Sequence, residues 1–279
     1  MSAADAANRG TLFVVSTPIG NLGDLSPRAV EVLGRVGAIL AEDTRHSRVL
    51  CDRYALKTPL IAHHGHNEAK TTPGLVARLL AGESLALITD AGTPLVSDPG
   101  ARIVRAAIEA GVTISPIPGA SALLAALAGA GLPTERFTFY GFLERRGGDR
   151  SRAIAEIVAL AHTAVLHEAP GRVAATLADL AAAGAGNRDA VVARELTKTY
   201  EEFRRGTVAD LAAYYGATEP RGEIVLVIAG AADTPLDEDA LRARAESLRA
   251  AGRSAREITQ LLMAEDGAPR NLAYRLAHE

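Results

Sequence analysis

The sequence predicts an α/β fold: two α/β domains followed by a small helical module. Three observations carry this reading. Apolar, β-branched runs at 11–17, 85–90, 112–117, 163–168, 189–194 and 222–229 alternate with helix-like stretches, as parallel strands under helical cover do. The texture changes twice, in the Ala-rich stretch at 119–135 and again after Gly230. At 279 residues the chain is also long for one small domain. The expected divisions are 1–120, 121–230 and 231–279.

Each element has a local reason. The helix at 26–36 opens on Ser26 as cap and Pro27 as first helical residue, and a second at 99–110 opens on Asp98 and Pro99. Pro118-Gly119 and Pro133 bound the Ala-rich helix that joins the domains. ERRGGDRSR, 144–152, is polar, glycine-containing and net positive, and reads as an exposed loop. AADTPLDEDA, after Gly230, is acidic and linker-like. Beyond it LRARAESLRAAG, SAREITQLLMAEDG and PRNLAYRLA have helical periodicity, each delimited by Gly, Ser or Pro.

Composition excludes several classes. Hydrophobic residues make up 48% and charged residues 23%, so the chain can bury real cores. The N-terminus has no apolar signal-like stretch and no later run is long enough to span a bilayer, so neither secretion nor membrane insertion is expected. The single cysteine, Cys51, rules out an internal disulfide and fits a reducing, cytoplasmic location. A net charge of -3 lacks global basicity, so any contact with nucleic acid must be local. Of 30 basic residues only Lys57, Lys70 and Lys198 are lysines, which makes each lysine chemically distinct.

Five constellations carry chemistry. STPIGNLGD, with Pro18 and Asn21, follows a strand and precedes a helix, the position where open α/β sheets bind ligands, but its glycine spacing is neither GxGxxG nor a Walker loop. AEDTRHSR holds Glu42, Asp43 and Arg45. If 36–40 is a strand, these groups project from its carboxyl end with an active-site composition; equally, Asp43 caps a helix and the charges are solvated. TDAGTPLVSDPG leaves a strand through Asp90, Gly92, Thr93, Pro94 and Val96, a path that presents main-chain groups to a ligand. PIPGASA places Gly119, Ser121 and Ala122 where a ligand or a close helix needs room. ARELTKTYEE ends a strand at Arg194-Glu195 and brings Lys198, a candidate base or phosphate contact. His63, His64 and His66 show no metal-ligand spacing, and no metal is expected.

Taken in order, STPIGNLGD, AEDTRH, AHHGHNE, DAGTP with SDPG, PGAS, GLPTERFTFYGFL, ARELTKTYEE and RGEIVLVI strongly resemble the tetrapyrrole-methylase-like (class III) methyltransferases. Within them the likeness is to the branch that 2′-O-methylates a cytidine of 16S ribosomal RNA in the small subunit, and it runs from about Leu12 to the C-terminus. The resemblance implies two α/β domains with S-adenosylmethionine in the cleft between them, and a homodimer. It assigns donor contacts to Pro18, Asp90, Gly92, Thr93, Val96, Ser121 and Ala122, with Leu166 and Arg194 from the second domain. Asn21, His64 and Glu195 would face the RNA. The tail, closing on Arg270-Asn271 and Tyr274, looks like the family's C-terminal helical module. Residues 240–275 hold seven arginines against four acids, and Arg253, Arg256 and Arg270 are the expected RNA contacts there. Two places depart from the pattern: Glu144-Arg145-Arg146 after GFL, where Pro and a downstream lysine are usual, and Gly171, where histidine is common.

Methyl transfer to a ribose hydroxyl is an in-line substitution that needs alignment and removal of a proton. Glu42, Asp43 and Lys198 are the candidate bases, and Arg45 and Arg194 the candidates for orienting phosphate or ribose. The rival readings are a small-molecule methylase of tetrapyrrole type and a non-catalytic RNA-binding assembly protein on the same fold. Calorimetry separates the last from the first two: an enzyme binds S-adenosylmethionine, whereas a pure RNA-binding protein gives no heat with it.

Overall fold

The computed structural model describes residues 9–231 and 238–279. Residues 1–8 and most of the acidic linker, 232–237, lie outside the described residues.

The first sheet has five parallel strands, β1 (Thr11–Val15), β2 (Ala38–Ala41), β3 (Leu60–Ala62), β4 (Leu85–Leu87) and β5 (Thr113–Ile117), in the order β3-β2-β4-β1-β5. Its central strands are apolar on both faces because both are covered. Val15, Ile39, Ala41 and Ala86 pack against α1 (Pro27–Arg35) and α2 (Thr44–Arg53). Leu12, Leu40, Leu85 and Leu87 turn the other way, against α3 (Glu68–Leu80) and α4 (Ala101–Glu109). Ser26 caps α1 as expected, its hydroxyl accepting from Ala29 N at 3.2 Å.

Helix α5 (Ala122–Ala130), capped by Ser121, leads to the second sheet. Its strands are β6 (Phe137–Phe142), β7 (Thr163–Glu168), β8 (Asp189–Arg194), β9 (Glu202–Thr207) and β10 (Ile224–Ile228), in the order β6-β7-β10-β8-β9. This sheet corrects the expectation of parallel pairing, since only β6 and β7 run parallel. The last strand, β10, inserts antiparallel between β7 and β8, and β9 folds back on β8; an apolar run reads the same in either direction. One face packs on α6 (Gly148–Ala159), α7 (Val173–Leu180) and α8 (Val208–Ala217). The other packs on α5 and on Ile19 and Ala120, which come from loops of the first sheet.

Two further expectations are corrected. The helix expected at 99–110 begins at Ala101, behind a left-handed Gly100 with φ 115°, and Asp98 makes no capping bond. The run 144–152 is not all loop, because α6 starts at Gly148. There Arg150 is buried and bonds Asp179 at 2.6 Å and Thr176 at 3.2 Å. A guanidinium with buried partners looks in sequence like any exposed arginine. Strands β3, β6 and β9 fall outside the six apolar runs read from the sequence.

The chain divides into two compact units, one ending at Gly230 and one starting at Ala231. The second unit holds α9 (Glu238–Ala250), α10 (Ala255–Ala264) and α11 (Arg270–His278), closed around Leu241, Ile258, Leu262 and Leu276. A reciprocal capping box between Ser254 and Glu257 starts α10. Truncating the fully buried Leu40 to alanine in the central sheet is expected to cost about 2–5 kcal/mol, read as a lower denaturation midpoint at unchanged m-value.

Candidate active site

All four ligand-type motifs of the first half leave the carboxyl edge of the same parallel sheet: STPIGN after β1, EDTRH after β2, DAGTP after β4 and PGAS after β5. Parallel strands put their carboxyl ends on one side, so motifs that begin at residues 16, 42, 90 and 118 converge there.

Hydrogen bonds lock the loops together. Thr17 and Gly92 exchange backbone bonds, N to O, at 2.8 and 3.1 Å, and the Thr17 hydroxyl donates to Thr89 O at 3.1 Å. Thr93 Oγ1 meets Ser16 Oγ at 3.1 Å and donates to Ala120 O at 3.2 Å, which joins the PGAS loop to the other two. Asp43 N donates to Asp90 Oδ1 at 3.1 Å, and Thr89 Oγ1 donates to Glu42 Oε2 at 3.4 Å. Gly119 passes so close to Ser16 that an added Cβ would lie 3.0 Å from the serine Cβ.

Strain marks the same place. Leu95 and Ser97 hold φ at 74° and 67° in one wall, and Glu195 and Thr197 hold 51° and 65° in the other. Non-glycine residues occupy this region at a cost of order 1–3 kcal/mol each and cluster where a ligand is clamped. Gly222, at φ 85°, completes the second wall, where a Cβ would meet the Glu195 carboxylate at 2.1 Å.

Two cavities result. The first, of about 380 Å³, is lined by Gly92, Thr93, Val96, Asp98, Ser121 and Ala122 on one side and by Phe142, His167, Glu168, Leu196, Glu223 and Val225 on the other. The second, of about 510 Å³, is bounded by Thr17, Pro18, Gly20, His46, Asp90 and Lys198. They adjoin across Ile19, Ala91 and Glu223, which line both.

The sequence-predicted residues distribute unevenly over this geometry. Gly92, Thr93, Val96, Ser121 and Ala122 line the first cavity, and Pro18, Asp90 and Lys198 the second. The Leu166 side chain is fully buried in the core of the second sheet and lines neither cavity. Arg194 also lines neither; its Nε and Nη2 donate to Glu202 Oε2 at 3.1 and 3.0 Å. Asn21 Oδ1 accepts from Gly23 N at 3.0 Å, shaping its own turn. His64 stands beside Asn67, whose Oδ1 accepts from its backbone N–H at 2.9 Å.

The strand and the helix cap expected of AEDTRH are both present. A strand ends at Ala41, and Asp43 then caps α2 by accepting from Arg45 N at 2.8 Å. Asp43 also accepts from the Arg45 guanidinium at 2.8 Å, and these bonds hold its carboxyl well below the usual range, a poor state for a base. Glu42 differs: burial and the neighbouring Asp90 carboxylate push it up, against the Thr89 hydrogen bond and His64, which favour the ionised form. Lys198 donates to Glu195 at 2.9 Å and Glu223 at 3.1 Å. Burial alone would lower its pKa, but the two carboxylates outweigh burial and raise it, so this lysine is a fixed cation and not a neutral base.

In the tail, the seven arginines are not equally available. Arg242 and Arg275 pair with Glu238 and Glu279, Arg244 with Glu265, and Arg253 with Glu257 at 3.4 Å. Arg256 and Arg270 are exposed and in no ion pair among the described residues.

Sequence reasoning passed over Asp98, read as a helix cap, and Glu223, His167 and Phe142. The Asp98 carboxyl lines the first cavity and is pushed up to about 6, first by burial and then by Glu42 and Asp90, while a Thr89 hydrogen bond works the other way. His167 stands edge-on to Phe139 and Phe142, at 4.9 and 5.4 Å between ring centroids, and burial lowers its pKa. Only the closing of the second sheet on the first brings these residues to one cavity. Among the described residues no group of three or more His, Cys, Asp or Glu side chains is arranged to hold a metal ion, and no helix is long and apolar enough to cross a membrane.

Known proteins share this pattern. The family model of the Tetrapyrrole (Corrin/Porphyrin) Methylases matches residues 11–212. A Synechocystis protein named ribosomal RNA small subunit methyltransferase I is 46% identical over 97% of this chain and 98% of its own. A Micromonospora olivasterospora protein of the same name is 45% identical over 99% of this chain and 90% of its own. The uroporphyrin-III C-methyltransferase of Thermus thermophilus, solved with S-adenosyl homocysteine, shares the fold: its TM-score is 0.56 at 21% identity, over 79% of this chain and 97% of that one.

A raised carboxyl weakens the folded state at neutral pH. The folded protein takes up the Asp98 proton near pH 6 and the unfolded chain only near its ordinary value, so this group favours folding in acid and opposes it as pH rises through 6. Asp98→Asn is therefore expected to raise the melting temperature of the ligand-free protein by a few degrees at pH 7, and to have no effect below about pH 4.

Proposed function

This chain belongs to the tetrapyrrole methylase family, among the ribosomal RNA small subunit methyltransferase I proteins, and we propose that it transfers a methyl group from S-adenosylmethionine to the 2′-hydroxyl of a cytidine in 16S ribosomal RNA. The observation that carries the reading is the pair of adjoining cavities at one sheet edge, one for a small donor and one for an acceptor, meeting at Ile19, Ala91 and Glu223. The first fits the donor in size and in character: small-molecule sites run from about 300 to 1,000 Å³, and this one offers apolar Ile19, Leu196 and Val225 beside hydroxyls and the acids Asp98, Glu168 and Glu223. In the division of labour we propose, residues 1–120 carry the acceptor loops, 121–230 close the donor cavity, and 231–279 contribute RNA contacts, chiefly Arg256 and Arg270. The active species is a homodimer in the cytoplasm.

The donor, when bound, supplies a methyl carbon on a sulfonium, an electrophile that needs no metal. The protein aligns the acceptor and takes its proton. In the second cavity Lys198, held by Glu195 and Glu223, meets RNA phosphate or ribose oxygen as a cation. Gly20 lies against this lysine, with a Cβ position only 2.4 Å from Lys198 Cγ, so the STPIGN loop sets where the cation stands. Glu42, raised by burial and linked to the cavity wall through Thr89, is the base that accepts the hydroxyl proton. Asp43 and Arg45 satisfy each other at the start of α2 and shape the EDTRH turn. The STPIGN loop and the tail favour an RNA acceptor over a small tetrapyrrole.

Transfer of tritiated methyl to small subunits from a strain lacking this protein, followed by mapping of the modified ribose, tests the reaction; label on a base, or none on RNA, overturns it. Glu42→Gln is expected to lower the single-turnover rate by about 10²–10⁴ with donor affinity unchanged, and an unaltered rate removes Glu42 as the base. Lys198→Met is expected to weaken RNA binding and to flatten its salt dependence, measured as the slope of log affinity against log salt.

A further inference from the structure

The second cavity, of about 510 Å³, has a near end and a far end. At the near end Ile19, Ala91 and Glu223 also line the donor cavity, so donor and acceptor meet there. The loops after β1 and β4 and the turn of Leu196 and Lys198 likewise serve both cavities. Among the described residues α2 is the one element that lines the second cavity and not the first, and it therefore marks the far end. His46, Val49 and Leu50 stand at i, i+3 and i+4 of α2 and share one face of that helix. Leu22, from the turn that closes the STPIGN loop, lines the same cavity. The Tyr54 hydroxyl, at the end of α2, donates to Leu22 O at 2.6 Å and holds turn and helix together.

Two features of this end have no role within the protein. Val49 is 60% exposed, an apolar side chain turned to solvent on a cavity wall. Ser47 is the reverse: it is 3% exposed, and its Oγ has no hydrogen-bond partner among the described residues. A buried hydroxyl without a partner is unfavourable, so one in a cavity wall marks where a ligand can supply the bond. Ribose and phosphate are polar and need no apolar wall. An apolar surface beside a single hydrogen-bonding group matches the flat face and polar edge of a nucleobase.

We propose that the far end of the second cavity is a base subsite: the acceptor nucleotide leaves its stack in the RNA, its pyrimidine lies against Leu22, Val49 and Leu50, and the polar edge of the base bonds the Ser47 hydroxyl. The inference rests on the RNA acceptor proposed above and adds how that acceptor is held. A nucleotide stacked in RNA cannot enter a cavity, and enzymes that need one nucleotide in a pocket extrude it. Apolar contact and the new hydrogen bond offset the lost stacking. A hydroxyl both donates and accepts, so Ser47 can meet O2 or N3 of the ring. With the base anchored at the far end, the ribose stands toward Ile19, Ala91 and Glu223, where the donor cavity opens, and the 2′-hydroxyl is aligned for transfer. Ser47 is then a positioning residue that acts through the base. Its removal relieves an unpaired polar atom in the free protein and removes a bond in the complex, so stability and rate respond differently. A hydroxyl that merely supported the fold would lower both.

Small subunits from a strain lacking this protein, and subunits reconstituted with pyrrolocytidine at the mapped target position, test the proposal with the full-length enzyme. Pyrrolocytidine is dim when stacked and brightens when released from the stack. Saturating wild-type enzyme with S-adenosylhomocysteine is expected to brighten the probe severalfold. Val49→Asn, at an exposed position that the fold tolerates, is expected to leave the probe dimmer at saturation than wild type does. Ser47→Ala is expected to lower the single-turnover rate of methylation by about threefold to tenfold, the size of one neutral hydrogen bond, with a melting temperature equal to or above that of wild type. A probe that stays dim when wild type is bound shows a base still stacked and overturns the subsite. A Ser47→Ala protein that melts below wild type, or one that methylates at the wild-type rate, overturns the role of Ser47. Each of these results leaves the methyl-transfer assignment intact. No tritiated methyl on the RNA with wild type overturns that assignment and the inference with it.

Discussion

Two backbone hydrogen bonds between Thr17 and Gly92 hold the active cleft in register. They join the loop after β1 to the loop after β4, the adjacent central strands of the parallel sheet. On one side this bridge sets Ser16 and Thr93, and through them the PGAS loop that starts α5. On the other it sets Thr89 and so Glu42 and Asp90. Gly92 takes φ 84° there, a conformation natural to glycine, which leaves its N–H and C=O free to face Thr17. The two cavities are the spaces left on either side of these bridged loops.

The opposite wall is built by different means. Strand β10 enters antiparallel between β7 and β8, which brings Gly222 and Glu223 next to the end of β8 and its strained turn at Glu195–Thr197. Glu195 N donates to Glu223 O at 3.0 Å, and the Glu195 carboxylate accepts from Glu223 N at 3.1 Å. The turn thus holds Lys198 between two carboxylates, where the lysine stays charged. Local backbone strain on both walls is sustained by rigid sheets beneath them, which is how a fold stores pre-organisation for a ligand.

Charge is arranged asymmetrically across the cleft. One wall has paired ions, and the other has carboxylates that compete with one another over Thr89. Burial of Glu42 and Asp98 near each other disfavours the ligand-free fold, the usual exchange between stability and a pre-formed site. In the tail the same physics works in reverse: four arginines spend their charge on neighbouring acids within the module, leaving Arg256 and Arg270 to act outward. Charge counted along the sequence therefore overstates what the surface presents.

Much of the first half was legible in the chain itself. Buried parallel strands read as continuous apolar runs, Ser26 and Pro27 announce a helix, and motifs placed after strands of one parallel sheet must share an edge. Family likeness added the donor and the acceptor. What sequence could not reach has a common cause, namely that it depends on partners distant in the chain. The antiparallel entry of β10 follows from sheet closure, since its apolar run permits either direction. Arg150 is buried because Asp179 and Thr176 meet it, and Lys198 is a fixed cation because Glu223, 25 residues away, faces it. Asp98 next to Pro99 has the local grammar of a helix cap, and only the fold, by starting α4 later at Ala101 behind Gly100, turned that carboxyl toward the cavity without a countercharge. Local sequence determined the elements and the edge they share; tertiary structure decided the ionisation and the partner of each charged group, because both depend on what burial brings close.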